Sequence, residues 1–377
     1  MNYELLSDIL DHCSNTEQCR QLVTILKRKS TSNAMVGGLT ASATSLYFAA
    51  AAKKTNVPML FIMRDADEAG YTYQDLHTLL GENVKFFPSS YKRAVKFGQR
   101  DAASEILRTE VLTALNEEDP SLIVTYPAAL SELVMSKQDI DDRRITLKRG
   151  DETGITDLVH RLRELGFAER DYVYEPGQFA VRGSIVDVYS FASEYPCRID
   201  FFDTEIDTMR TFNVETQLSV EMLDTVTIVP EITRTDTEKV PLLEMLADDT
   251  VIVTHDMRYV TDAIDYIYKE GFSDAAKSDR LAYATEAEKD DIIRELTASL
   301  NLCTASRFSK LAERFKLVEL KQNGEHATGQ SFNITFNTTP QPLLHKNFDC
   351  WHRRWKTTNS RATKPVYCLT ATSNKNV

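Results

Sequence analysis

Two spacings of apolar residues divide the first third of the chain into helices and strands. Helical spacing predicts an amphipathic helix at the start, carried by Leu5, Leu6, Ile9, Leu10 and Cys13. Short apolar runs predict four strands with helical patterns between them, at Met35–Gly38, Val57–Met63, Val84–Phe87 and Leu122–Thr125. Strands that alternate with helices are typical of βαβ units, so we expect a parallel sheet covered by helices on both faces.

After Tyr126 the spacing changes to that of a small antiparallel module. Thr156 can cap a short amphipathic helix. Apolar residues then alternate with polar ones, but the alternation shifts by one position at Gly183, which predicts a β-bulge there. Arg198–Phe202 and Ile206–Phe212 predict a β-hairpin. The sequence therefore predicts a small α+β module inserted into the α/β one.

The last third of the chain returns to the parallel pattern. A strand within Asp248–Asp256, a helix around Ile292 and a strand at Ser331–Asn337 would complete the first sheet. The predicted fold class is α/β, with a parallel-sheet domain 1 that is split in sequence and a small antiparallel α+β domain 2 inserted into it. We expect four segments, which are domain 1A at 1–126, domain 2 at 127–231, domain 1B at 232–349 and a basic tail at 350–377.

Composition and charge restrict the possible classes of function. The chain has 377 residues, with 44 basic against 56 acidic side chains and a net charge of −12, which argues against a general nucleic-acid coat. Six cysteines spread over this length predict neither a disulfide framework nor a metal site. No apolar run reaches the roughly 18–20 residues of a membrane span, and the start carries no secretory signal. The sequence thus predicts a soluble, cytoplasmic protein without membrane contact.

The first strand-to-helix loop, Gly38–Ser45, has the length and position of a phosphate loop. A working loop needs a second glycine so that the backbone can close on the anion, and a lysine for the outer phosphates. Ala43 and Thr44 stand at those two places, and only Gly38 and Ser45 keep the pattern. These residues leave open an ordinary βα loop, a decayed phosphate loop and a working one, and we expect no bound cofactor.

The strand end at His255 and Asp256 gives independent information on the same question. In a nucleotide hydrolase this strand would present acidic residues for magnesium and for water activation. His255 stands at one of those places, although a histidine at a strand end is more often structural. Because both halves of one expected site are incomplete, we expect that this chain does not hydrolyse nucleotide.

Arg182 lies beside the predicted bulge, and two roles fit its position. It could form a structural ion pair within the module, or it could contact a partner. The charged segment Asp141–Gly150 carries a basic cluster that could touch nucleic acid, but a solvated surface is the commoner arrangement. The residues alone decide neither case.

A long motif in the predicted module carries a resemblance to a known family. The letters E-P-G-Q-F-A-V-R-G-S-I-V-D-V at Glu175–Val188 are followed by E-Y-P-C-R-I-D-F-F at Glu194–Phe202 and by E-I-D at Glu205–Asp207. More than a dozen positions thus resemble, in order and spacing, domain 2 of the bacterial transcription-repair coupling factors (Mfd). The same module occurs in the excision-repair protein UvrB. The resemblance to the coupling factors covers about residues 20–345.

Two features favour the coupling factors over UvrB. UvrB-like proteins keep an intact G-x-G-K-T phosphate loop, whereas the loop here is degenerate. They also insert a long aromatic hairpin after the second helix of domain 1, and the segment between Phe87 and Leu122 leaves no room for it beyond a helix.

The resemblance implies a UvrB-like, P-loop-like (RecA/helicase-type) module from the N-terminal part of a longer protein. It implies that domain 2 binds UvrA and so recruits excision repair to stalled RNA polymerase. It also implies a polymerase-binding domain and an ATP-dependent motor acting on duplex DNA elsewhere in that protein. Arg182 matches a family contact to UvrA, Phe179 lies in the same strand, and Arg170 matches with an ambiguity of one residue. The alternatives are a UvrB-type ATP-dependent damage-verifying enzyme and a scaffold without a role in DNA repair.

The end of the chain departs from the family pattern. From Cys350 to Thr372 there are five basic residues, no acidic residue and both tryptophans of the chain. A stretch translated in the wrong reading frame, a disordered tail and a nucleic-acid-binding arm all fit such a segment. Sequencing of the underlying DNA would distinguish the first from the others.

Overall fold

The computed structural model of the chain describes residues 3–28, 33–90, 102–116, 122–230, 239–272, 285, 302–321 and 332–338. Three sequence predictions lie outside these ranges, namely the helix around Ile292, the tail at 350–377 and parts of the segment between Phe87 and Leu122. Within the described ranges, every helix is too short or too polar to cross a bilayer.

In the described part of the chain, seven strands form one parallel sheet. In a numbering that counts all strands of the described residues in chain order, they are β1 (Ala34–Gly37), β2 (Met59–Ile62), β3 (Val84–Phe86), β4 (Leu122–Thr125), β15 (Val251–Thr254), β16 (Lys316–Lys321) and β17 (Phe332–Thr335). Their order across the sheet is β17-β1-β16-β15-β2-β4-β3. Every residue of β2, β4 and β15 is buried, because helices cover both faces. The predicted α/β fold of domain 1, split in sequence, is confirmed.

Two helical layers give this sheet a core on each side. Within the described residues, the helices of the domain are α1 (Tyr3–Ser14), α2 (Glu17–Lys27), α3 (Ala43–Thr55), α4 (Ala66–Leu80), α5 (Ala102–Asn116), α6 (Pro127–Leu130), α7 (Lys137–Arg143), α9 (Leu242–Met245), α10 (Met257–Phe272) and α11 (Ala305–Ala312). Met59 and Phe61 share a core with α1 to α4. Leu60 and Ile62, which alternate with them along β2, share the other core with α5 to α7 and α9 to α11.

The inserted module is built on a second sheet of mainly antiparallel strands. Its members are β7 (Ala168–Glu169), β8 (Gln178–Arg182), β9 (Ile185–Val188), β10 (Cys197–Phe202), β11 (Glu205–Phe212) and β12 (Ser219–Leu223), and β7 alone runs parallel to its neighbour. One face packs on α8 (Ile155–Glu164) through a core that includes Leu158, Phe179 and Ile199. We call the opposite face the outer face. The predicted antiparallel α+β module and its β10–β11 hairpin are confirmed.

The chain enters and leaves this module through two paired strands, β6 (Ile145–Lys148) and β13 (Thr225–Ile228). The preceding residues belong to domain 1, because Leu130 and Ile140 lie in one of the two cores of the parallel sheet. There β5 (Val134–Met135) pairs with β14 (Lys239–Val240). The module's own core therefore begins at Ile145, later than the predicted boundary at 127.

The predicted bulge at Gly183 is wrong. Gly183 and Ser184 form a two-residue turn between β8 and β9, so that Arg182 pairs with Ile185. Gly183 has a φ of 62°, in the left-handed region that such turns need. Across a two-residue turn, the numbers of two paired residues differ by an odd number. The residues that face the core therefore have odd numbers in β8 and even numbers in β9. The shift in alternation comes from this turn.

Candidate partner-binding face and the loop after the first strand

In the loop between β1 and α3, carbonyls of the loop itself accept backbone N–H groups that a phosphate loop would leave available to bind a phosphate. The backbone N–H of Ala43 donates to the carbonyl of Thr40 at 3.1 Å, and that of Thr44 donates to the carbonyl of Ala41 at 3.4 Å. Ala41 has a φ of 50°, a left-handed conformation that costs an alanine about 1 kcal/mol. Two amides at the start of α3 are therefore already bonded within the loop.

A threonine after β17 closes the same loop from the side. The Thr338 hydroxyl donates to the carbonyl of Gly38 at 2.6 Å and lies 3.0 Å from the hydroxyl of Thr40. Ser45, which keeps the last position of the phosphate-loop pattern, is buried in α3. The loop is thus tied to the edge strand through groups that carry no positive charge.

The predicted acidic motif also lies at the carboxyl end of the parallel strands, where both of its residues contact neighbouring groups. His255 places Nε2 3.0 Å from Oε1 of Glu68, and Glu68 also accepts two side-chain bonds from Arg64. Burial alone would raise the pKa of Glu68, but the hydrogen bonds from Arg64 and the charge of His255 lower it overall. Asp256 accepts the backbone N–H of Arg258 at 2.9 Å. Both residues thus have structural partners.

The outer face of the module brings together arginines from β8, β10 and β11 and from the residue that follows β7. Cross-strand register places Ala180, Asp187, Arg198 and Arg210 in one row, and Arg182, Ile185 and Asp200 in the next. Because directly paired residues point to the same side of a sheet, these side chains share the outer face. We call the set Arg170, Arg182, Arg198, Phe202 and Arg210 the arginine face.

Asp187 is the buried centre of this face. It is 2% exposed at the side chain and forms ion pairs with both Arg182 and Arg198. Arg198 holds it with two bonds, from Nε at 2.7 Å and from Nη2 at 2.9 Å. The hydrogen bond to Asp187 raises the pKa of the Arg198 guanidinium. Two arginines share one carboxylate, so the trio keeps one net positive charge.

Arg182 combines the two roles that the sequence left open. Its guanidinium is bound to Asp187, yet 32% of its side chain remains exposed. The guanidinium carbon also lies 4.9 Å from the ring centre of Tyr172, which is itself exposed. The internal ion pair therefore leaves part of Arg182 accessible to a partner.

The structure separates the other two predicted contact residues. Arg170 is exposed, and its backbone N–H donates to the carbonyl of Phe179 at 2.8 Å, which places Arg170 beside Ala180 in register. Phe179 is 0% exposed and lies in the core beneath the sheet. As a direct contact residue Phe179 is therefore a wrong prediction, because odd-numbered positions of β8 face α8.

A second aromatic side chain beside Arg182 is Phe202, which the sequence reasoning missed. Ile199 and Phe201 are buried, so the alternation of β10 turns Phe202 to the outer face, where it is 78% exposed. The backbone N–H of its neighbour Phe201 bonds the carbonyl of Ser184, so Phe202 lies beside the turn that follows Arg182. A doublet of phenylalanines at the end of a hairpin strand was the available signal, since only one of two successive residues can face the core.

A buried thiol, that of Cys197, lies in β10 next to Arg198. Burial raises the pKa of the Cys197 thiol to about 12, so this thiol stays protonated beside Arg198. Within the described residues, no group of three or more His, Cys, Asp or Glu side chains has the arrangement of a metal site.

Comparison with known proteins adds a family match over this module. Residues 145–233 match the model of the family described as UvrB interaction domain. The transcription-repair-coupling factor of Bacillus subtilis (strain 168) is 30% identical over 197 residues, 52% of this chain and 17% of that protein. That of Staphylococcus haemolyticus (strain JCSC1435) is 26% identical over 221 residues, 58% and 19% of the two chains. The chain spans less than a fifth of the length of these relatives. The predicted resemblance is confirmed over about half the chain.

Proposed function

We propose that this chain, which carries a UvrB interaction domain at residues 145–233 and is similar over about half its length to transcription-repair-coupling factors, is a recruiting module that binds UvrA. The observation that carries the proposal is the arginine face. In this proposal the module brings excision repair to RNA polymerase stalled at DNA damage. The parent protein supplies the contacts with RNA polymerase and the ATP-dependent movement on duplex DNA.

The chemistry of the face supports a protein partner with acidic groups. Arginine offers a planar fork that can hold a carboxylate with two bonds, and arginine and aromatic residues dominate the affinity of many interfaces. The face combines a partly exposed Arg182 with a fully projecting Phe202. A positive cluster on a chain of net charge −12 also gives an acidic partner one preferred side to approach.

Titration of cognate UvrA into the purified chain tests the proposal. Arg182→Ala and Phe202→Ala should each weaken binding by on the order of 2 kcal/mol, about thirtyfold, because both remove accessible side chains of the face. Arg182→Lys should also lose affinity, since an ammonium group cannot reproduce the fork.

Matched controls lie outside the face. Arg163→Ala removes an exposed arginine of α8 that pairs with Glu169, and Tyr266→Ala removes an exposed aromatic ring of α10. Both should bind UvrA like the unsubstituted chain. Absence of UvrA binding by the unsubstituted chain, or equal losses in the controls and the face variants, would contradict the proposal.

We further propose that this chain neither binds nor hydrolyses ATP. Thr44 replaces the lysine of the loop, and the amides of Ala43 and Thr44 are bonded to loop carbonyls. A phosphate would therefore lack the charge-assisted bonds that normally hold it. Equilibrium binding of ATP with magnesium should show no saturation at millimolar concentration. Saturable binding or turnover would favour a UvrB-type enzyme.

A further inference from the structure

We propose that Asp187 is a positioning residue for partner binding, which holds the forks of Arg182 and Arg198 in the orientation that the partner recognises. The inference rests on the proposed binding of UvrA by the arginine face. Asp187 itself is 2% exposed at the side chain, so it acts through the two arginines.

The contacts of Asp187 fit a positioning role better than the role of a partner in a single ion pair. Both of its oxygens accept bonds from Arg198, and Oδ2 also accepts a bond from Arg182. The strand β9 fixes Asp187 opposite Ala180 on one side and opposite Arg198 on the other. The carboxylate is thus a rigid point that two flexible side chains share.

An aromatic ring also packs against each guanidinium. Arg182 lies 4.9 Å from the ring centre of Tyr172, and Arg198 lies 4.3 Å from that of Phe212. Arg198 also donates to the side chain of Gln217 at 3.0 Å. Long side chains that are already ordered lose less conformational freedom on binding, so such support favours affinity.

The charge of Asp187 makes the sign of the effect informative. Asp187→Asn removes one negative charge, which makes the face more positive and by long-range attraction alone would strengthen binding of an acidic partner. Loss of positioning would weaken it. A purely structural role would lower the melting temperature and leave the affinity nearly unchanged.

The test is a double-mutant cycle with UvrA as the probe, measured by titration calorimetry. Asp187→Asn should weaken binding by about tenfold, the size of a moderate coupling between contacting residues. In the Arg182→Ala background the same substitution should weaken binding by less than about fivefold, because only one of the two arginines that Asp187 positions is still present. Glu169→Gln, which removes an acidic partner of Arg163 elsewhere in the module, should leave the affinity unchanged.

Two results would overturn the inference. Equal losses from Asp187→Asn with and without Arg182 would mean that the residue does not act through that arginine. An affinity that stays equal or rises while Arg182→Ala still binds weakly would refute positioning and leave the proposed function intact. Failure of the unsubstituted chain to bind UvrA would instead remove the proposed function itself.

A second variant keeps the test decisive if Asp187→Asn does not fold. Tyr172→Leu removes the exposed ring against Arg182 and keeps an apolar side chain. It should weaken UvrA binding by a few-fold in the unsubstituted chain and have no effect in the Arg182→Ala background. An equal effect in both backgrounds would count against positioned arginines.

Discussion

Glu132 follows α6 and is buried among hydrogen-bond donors from the loop after β3, and its replacement by alanine should strongly destabilise the parallel-sheet domain. Its carboxylate accepts the hydroxyls of Ser89 at 2.5 Å and of Ser90 at 2.6 Å, and it also accepts the backbone N–H of Ser90. Nη1 of Arg108 lies 3.3 Å from Oε2 of Glu132, and both side chains are only 7% exposed. A single carboxylate therefore satisfies four buried or half-buried donor groups.

The magnitude follows from what remains when the carboxylate is removed. Breaking a buried ion pair by deleting one partner costs about 3–5 kcal/mol. Arg108 keeps a bond to the carbonyl of Pro88 at 2.8 Å and its contact with the ring of Phe87, which places Glu132→Ala near the lower limit, at about 3 kcal/mol. Glu132→Gln keeps the shape but weakens the charged bonds, so we expect about 2 kcal/mol.

Urea unfolding followed by far-ultraviolet circular dichroism measures both values. Glu110→Ala is the control, because its pair with Lys85 at 2.7 Å leaves Glu110 39% exposed and should contribute less than about 1 kcal/mol. If Glu132→Ala destabilises the domain no more than Glu110→Ala does, the buried network makes no net contribution to the free energy of unfolding, which would contradict the prediction.

Two further predictions concern pH and backbone conformation. The pKa of Glu68 is lower in the folded chain, so the stability from its bonds to Arg64 and His255 is present above the pKa of a free glutamate and is lost as the pH falls through the lowered value. Thermal melts between about pH 7 and pH 3 should therefore show a smaller decline for Glu68→Gln than for the unsubstituted chain, and equal declines would contradict the assignment. Gly183→Ala should cost about 1 kcal/mol through its φ of 62° alone, since no atom lies within 4 Å of the added carbon. Gly70→Ala in α4, which is equally uncrowded, should instead stabilise by about 0.5–1 kcal/mol, and urea unfolding of the two variants would show whether the signs differ.

The alternation of strands and helices made the parallel sheet predictable, because buried strands such as Met59–Ile62 are continuous apolar runs. The boundary of the inserted module was less accessible. Ile140 sits in a short amphipathic helix that could serve either domain, and only tertiary packing assigns it to the core of the parallel sheet. The local sequence pattern shows which residues are apolar, but it does not show in which hydrophobic core they pack.

The candidate site shows a similar limit. At Gly183 a bulge and a two-residue turn shift the alternation in the same way, so the sequence pattern could not distinguish them. Phe179 and Phe202 are both aromatic residues of the motif, and the difference between a core ring and a projecting ring depends on which face α8 covers. The ion pair of Arg182 with Asp187 spans the turn, and this contact became visible only with the register of β8 and β9.

The pairing of β6 with β13 has a consequence for how such a protein could arise and fold. Ile145 and Ile228 are direct partners, so the two ends of the module lie about 5 Å apart, as in any antiparallel pair. For the surrounding domain, the folded module is therefore equivalent to a short loop between the residues before β6 and after β13. Once the module has folded, the entropic cost of closing this loop does not grow with the number of inserted residues. An insertion of this form can be gained or exchanged without moving the strands of its host. The module can accordingly change its surface under selection for a new partner while the parallel sheet keeps its own sequence constraints.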